Sequence, residues 1–138
     1  MAYPKLEDLI RHDNRYALEA YEFVFAALSH TQQMLARANP ESDEKTASEK
    51  HVTGQQLLYG IRDLALREFG LMARTVFRQW GINSTDDFGE IVFNLIEVEL
   101  MSRTDRDTRA DFHNVYDLDE ALSKEYHIEI PKEGSEHG

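Results

Sequence analysis

The chain has no cysteine, no long apolar run, no glycine-rich loop and no excess of positive charge. Each gap removes a class of function. Without thiols there is no disulfide and no thiolate metal site, so zinc ribbons and iron–sulfur clusters are excluded. The longest apolar-rich stretch, ALEAYEFVFAAL, carries two glutamates and is too short to cross a bilayer, which predicts no membrane association. The N-terminal residues MAYPKLEDLIRHD mix acids and bases early and lack an apolar core, unlike a secretory signal. The seven glycines stand singly, mostly as helix punctuation, and neither a phosphate-cradling loop nor a GxSxG elbow appears. Acidic residues outnumber basic ones by 26 to 15, for a net charge of −11. A field of that sign repels phosphate backbones and anionic lipid.

What remains is enough for a core. A chain of 138 residues, 41% of them hydrophobic, fits one domain. Apolar residues at three- and four-residue spacings predict a long helix over Tyr16–Ala38, capped by Asn14 and preceded by a short helix over Lys5–Arg11. Residues 40–50 contain no large apolar side chain and are expected to be a mobile loop. Thr53 and Gln56 form a capping-box pair opening a helix that runs to Phe69, with Leu57, Leu58, Ile61, Leu64, Ala65 and Phe69 on one face and Gly70 as its stop.

A third helix is expected over Leu71–Trp80, with Met72, Val76, Phe77 and Trp80 turned inward. Gly81 and Ile82 then suit a left-handed C-terminal cap. Ser84 or Thr85 caps a fourth helix, residues 85–101, with Asp86 and Asp87 against its macrodipole. Two short strands, Leu100–Arg103 and Asn114–Leu118, are expected next, then a helix over Asp119–Glu125. The predicted fold is therefore mainly α: a single-domain helical bundle over residues 1–126 with a small C-terminal β-hairpin and a disordered tail, 127–138. The order of elements over residues 53–118 resembles a winged helix.

Three blocks carry a resemblance: RYALEAYEFVFAAL, HVTGQQLLYGIRDLALREFGLMARTVFRQWGI and TDDFGEIVFNLIEVELMSRTDRDTRADFHNVYDLDEAL. Together they resemble a small uncharacterised bacterial family found mainly in planctomycetes and verrucomicrobia. The likeness spans roughly Tyr3–Leu122, apart from the loop at 40–50. It implies a bacterial, cytoplasmic setting and brings no reaction, cofactor or catalytic residue with it.

Candidate chemistries divide unevenly. Asp105 and Asp107 suggest a calcium loop, but Arg109, Ala110 and Tyr116 stand where a ligand, a glycine and a bidentate glutamate are needed. A winged helix would place its second helix in the major groove, yet that helix carries Asp86, Asp87, Glu90, Glu97 and Glu99, which argues against nucleic acid. Six histidines include no HExxH pair, leaving only a site built from distant His30, His51 and His113. Arg62, Arg67, Arg74 and Arg78 flank Gly70 on neighbouring helices. They are either a solvated face paired with Asp63 and Glu68, or a patch receiving an acidic partner or a phosphate-bearing ligand.

Gly89 and Asn94 break helix rules, the first suggesting close packing and the second a bond to the following hairpin. Tyr16, Phe23 and Phe25 lie off the main stripe of their helix and suggest a dimer face. The leading expectation is a non-catalytic interaction or assembly module of the bacterial cytoplasm, without cofactor, working through a protein partner or self-association. The alternative is a metal-dependent protein or enzyme whose site assembles from scattered histidines and carboxylates. Nucleic-acid binding ranks third.

Overall fold

The computed structural model describes residues 4–38, 52–101 and 109–123, and these are mainly helical. Helix α1 spans Pro4–His12, its proline at the first position, where a missing N–H costs nothing. Leu6 from this helix is fully buried. Helix α2 runs from Leu18 to Ala38. It starts two residues later than its apolar periodicity suggests, because Tyr16 is held in the preceding turn and Ala17 donates its N–H to the Trp80 carbonyl at 3.1 Å.

Helix α3, Gly54–Phe69, opens with the expected capping box: the Gln56 N–H donates to Thr53 Oγ1 at 3.1 Å and the Thr53 N–H to Gln56 Oε1 at 3.0 Å. It lies along α2, and the two meet where Gly60 faces Thr31. A 3-10 turn, Gly70–Met72, leads into the short helix α4, Ala73–Gln79. Gly81 then adopts φ +93°, donating its N–H to Arg78 O, while the Ile82 N–H reaches Phe77 O at 2.9 Å. That pair of bonds is a Schellman cap, and Ile82 is fully buried as its apolar contact.

Helix α5 spans Thr85–Glu97, four residues shorter than its sequence pattern. It closes with the same pair of bonds, Glu99 N–H to Ile96 O and Leu100 N–H to Leu95 O, with Glu99 at φ +67°. The side chains of Tyr21, Leu58, Ile61, Phe77, Phe88, Ile91 and Leu95 form the centre of the core. Beside them Phe23, Phe69, Phe77 and Trp80 pack ring to ring, with centroids 5.5–5.9 Å apart. Tyr16 and Phe23 are therefore buried within one chain and Phe25 is partly buried against the same core, so these three rings do not form the exposed face expected of them.

The C-terminal hairpin is also corrected. Among the described residues there is no strand. Arg109–Phe112 is a 3-10 turn, Asn114 is left-handed at φ +49°, and the chain is extended at Asp117 only to cap α6, Leu118–Ala121. What organises this segment is Phe112, which is buried against Gly54 of α3 and Gly89 of α5. A β-carbon at either glycine would come 2.9 Å from it. Thr85 completes the attachment, donating its hydroxyl to Phe112 O at 2.7 Å and accepting the Val115 N–H at 3.0 Å.

A strand here would turn alternate residues away and lose that wedge. Without a hairpin, the winged-helix reading of residues 53–118 fails as well. Helix α6 stops at Ala121, short of the expected Glu125. The loop at 40–50, the turn at 102–108 and the tail at 127–138 lie outside the described residues.

Candidate functional site

Two constellations stand out: one reaches inward from exposed Arg15, and the other stands in solvent. The inner one links the α1–α2 turn to α5. Arg15 grips the Asp13 carboxylate through Nε at 2.9 Å and Nη2 at 2.7 Å. Asn94 donates its amide group to Asp13 Oδ2 and to the Tyr21 hydroxyl, both at 3.2 Å. The Asn94 side chain therefore bonds across the core. The Tyr16 hydroxyl donates to Asp87 Oδ1 at 2.6 Å, and the other oxygen of Asp87 accepts the N–H groups of Asn83 and Ser84. Arg15 also sits 5.2 Å from the Tyr16 ring centre, a cation–π distance.

The titration of this network speaks against acid–base chemistry. The hydrogen bonds from Arg15 hold the Asp13 carboxyl down at about 2, against the opposing effect of burial. The bond to Asp13 likewise raises Arg15. Burial pushes the Tyr16 phenol above its ordinary value, reinforced by its bond to Asp87, and burial also raises Tyr21. All four shifts lead away from neutrality, whereas a general acid or base works best poised near it. The network fixes charge and orientation; it is a lock between the N-terminal turn and α5.

The four arginines singled out in the sequence part company. Arg62 donates through Nε to the Ala121 carbonyl at 2.7 Å, and Arg74, only 16% exposed, bonds Asp119 Oδ1 at 2.8 Å and Ile82 O at 3.2 Å. These two clamp the ends of α6 onto α3 and α4. Arg67 uses Nε on Asp63 at 2.6 Å, and Asp63 also bonds His30 at 2.7 Å across the α2–α3 interface. Burial would raise the Asp63 carboxyl, but those two bonds outweigh it and hold it below its usual range. Arg78 comes only within 3.6 Å of Asp119. Arg67 and Arg78 remain 66% and 55% exposed.

Between them lies the outer constellation, which the sequence concealed. Leu71 is 63% and Met72 59% exposed, on a 3-10 turn with no buried residue. The spacing of Met72 to Val76 suits an inward stripe only if one helix runs through. The 3-10 turn has a different angular step, so residues before Ala73 leave the phase of α4. The clue available in advance was Gly70, which stops α3 and leaves the next residues outside any helix frame.

Among the described residues the histidines have separate partners. His30 pairs with Asp63, His113 with Asp86 at 3.1 Å, and His12 meets the Asp8 carbonyl, while His51 lies outside the described residues. Among the described residues no group of three metal-ligating side chains is gathered. No described helix is long and apolar enough to cross a membrane. Comparison with family models, curated proteins and solved structures gives no match for this chain.

Proposed function

We propose that this protein is a non-catalytic interaction module whose contact point is the turn between α3 and α4. One observation carries the reading. Leu71 and Met72 stand in solvent side by side, on an element that contributes nothing to the core. Holding two large apolar side chains in water forgoes roughly 1.5–3 kcal/mol apiece relative to burial. Binding a partner recovers that. The aromatic cluster beneath, with Phe69 and Trp80 only partly buried, gives the turn a firm base. The titration directions in the inner network support a structural role there and favour no catalytic one. The bacterial, cytoplasmic setting belongs to the same proposal and rests on the sequence resemblance.

A photo-crosslinking residue placed at position 71, with exposed Gln33 of α2 as the control position, tests this in cells that make the protein. The expected result is a discrete protein adduct from position 71 and none from position 33. Equal labelling from both positions, or none from either, would refute the proposal.

A further inference from the structure

We infer that the partner presents an apolar socket rimmed by carboxylates, a deepening that rests on the interaction-module reading. The first support is local charge. Residues 62–80 carry four arginines against two acids, in a chain whose acids outnumber its bases by 26 to 15. The stretch on either side of the turn thus carries two more positive than negative charges, one of them offset by Asp119 of α6, which pairs with Arg74 and Arg78.

The second support is how those arginines are used. Arg62 and Arg74 are committed to α6, but Arg67 engages its one carboxylate through Nε alone, leaving both terminal amino groups unbonded among the described residues. Arg78 makes an ion pair at 3.6 Å, beyond hydrogen-bond reach. Arg67 precedes Leu71 by four residues, and Arg78 lies one turn beyond Arg74 on α4. Two incompletely bonded guanidinium groups therefore stand on the two helices that the Leu71–Met72 turn connects. Guanidinium donors suit planar, bidentate capture of carboxylate.

Shape and charge select among occupants. The turn projects between two helices, and space above Gly70 is open, with nothing within 4 Å of where a β-carbon would be. A projecting tip needs a concave receiver, and leucine and methionine adapt readily to one. A second copy is the wrong receiver. A two-fold contact would set this arginine-bearing tip against itself, and each copy carries a net charge of −11. An anionic membrane offers the matching charge locally but meets the repulsion of the whole molecule.

The test extends crosslinking at position 71 to the identity of the captured peptide. A tryptic adduct rich in aspartate and glutamate around apolar residues is expected. With the crosslinking repeated in lysate, its yield should fall several-fold as salt rises from about 50 to about 500 mM, since screening weakens exposed ion pairs. It should fall similarly in the Arg67→Gln/Arg78→Gln variant, with helicity by circular dichroism confirming its fold. The salt series on the unaltered arginines stands by itself if that variant unfolds. An adduct with a neutral or basic peptide, insensitive to salt, overturns the acidic socket while leaving an interaction module in place. An adduct to a second copy of the chain, or retention by phosphatidylserine vesicles in place of a protein adduct, overturns it equally.

Discussion

A β-carbon on Gly60 has no place to go, because the Thr31 hydroxyl already occupies it. That hydroxyl is buried and donates to the Ala27 carbonyl one turn back in α2 at 2.7 Å. The closest approach of α2 and α3 is therefore fixed by a glycine on one helix and a threonine folded onto the other. Gly60→Ala should destabilise the protein by about 1–3 kcal/mol through overpacking, despite the better helix propensity of alanine. Adding Thr31→Ala should recover part of the loss and no more, because the Thr31 β-carbon itself lies 2.8 Å from the new methyl group. Urea denaturation of the two single variants and the double variant measures the coupling; strict additivity would show that the helices separate freely.

Gly81 and Glu99 hold equivalent positions in two Schellman caps and should respond oppositely to substitution. Gly81 sits under the Arg15 carbonyl, on which a β-carbon would fall, so Gly81→Ala combines a left-handed backbone penalty with a backbone clash. A loss of about 2–4 kcal/mol is expected. Glu99 already bears the left-handed penalty, so Glu99→Gly should raise stability by about 0.5 kcal/mol. Thermal unfolding of both variants checks the signs; a stabilised Gly81→Ala would contradict the packing of the Arg15–Tyr16 turn over α4.

The contrast between those caps also shows what was legible in the sequence. Gly81-Ile82, Thr53 with Gln56, and the stripes of α3 and α5 encode local geometry, and local geometry is what residue spacing reports. Glu99 sends no such signal, and the apolar pattern of α5 runs four residues past its end at Glu97. Phe112 misled in a different way. A polar turn between two apolar runs has the pattern of a hairpin, but a large ring opposite two isolated glycines is a wedge, and that pairing exists only after α3 and α5 are packed.

The Asn94–Asp13 and Tyr16–Asp87 bonds join residues more than seventy positions apart and have no sequence signature. Of the candidate site, the arginines were visible, but which of them face α6 was not. The exposure of Leu71 and Met72 depended on a 3-10 turn that helical periodicity reads straight through.

Asn94→Leu should cost about 2–3 kcal/mol, because it leaves the buried Tyr21 hydroxyl without its donor while Asp13 keeps Arg15 and some contact with water. Tyr21→Phe in the same chain should restore part of that loss by removing the orphaned group. If the double variant is no better than Asn94→Leu alone, the cost comes from shape and not from polarity.

Acid sensitivity should follow from Asp13. Its folded-state value, about 2, lies below its ordinary 3.8, so the ionised form is favoured by folding. Such a group contributes stability that is complete above its unfolded value and is lost as pH falls through the folded one. Linkage sets an upper bound of about 2.5 kcal/mol, and solvent screening of half-exposed Arg15 reduces it to about 1 kcal/mol. Asp63, also lowered, adds loss of the same sign. Denaturant midpoints for the unaltered chain and for Asp13→Asn should therefore differ at about pH 6 and converge towards about pH 2. A gap that stays constant over that range would mean the Arg15–Asp13 pair is not what holds the N-terminal turn against α5.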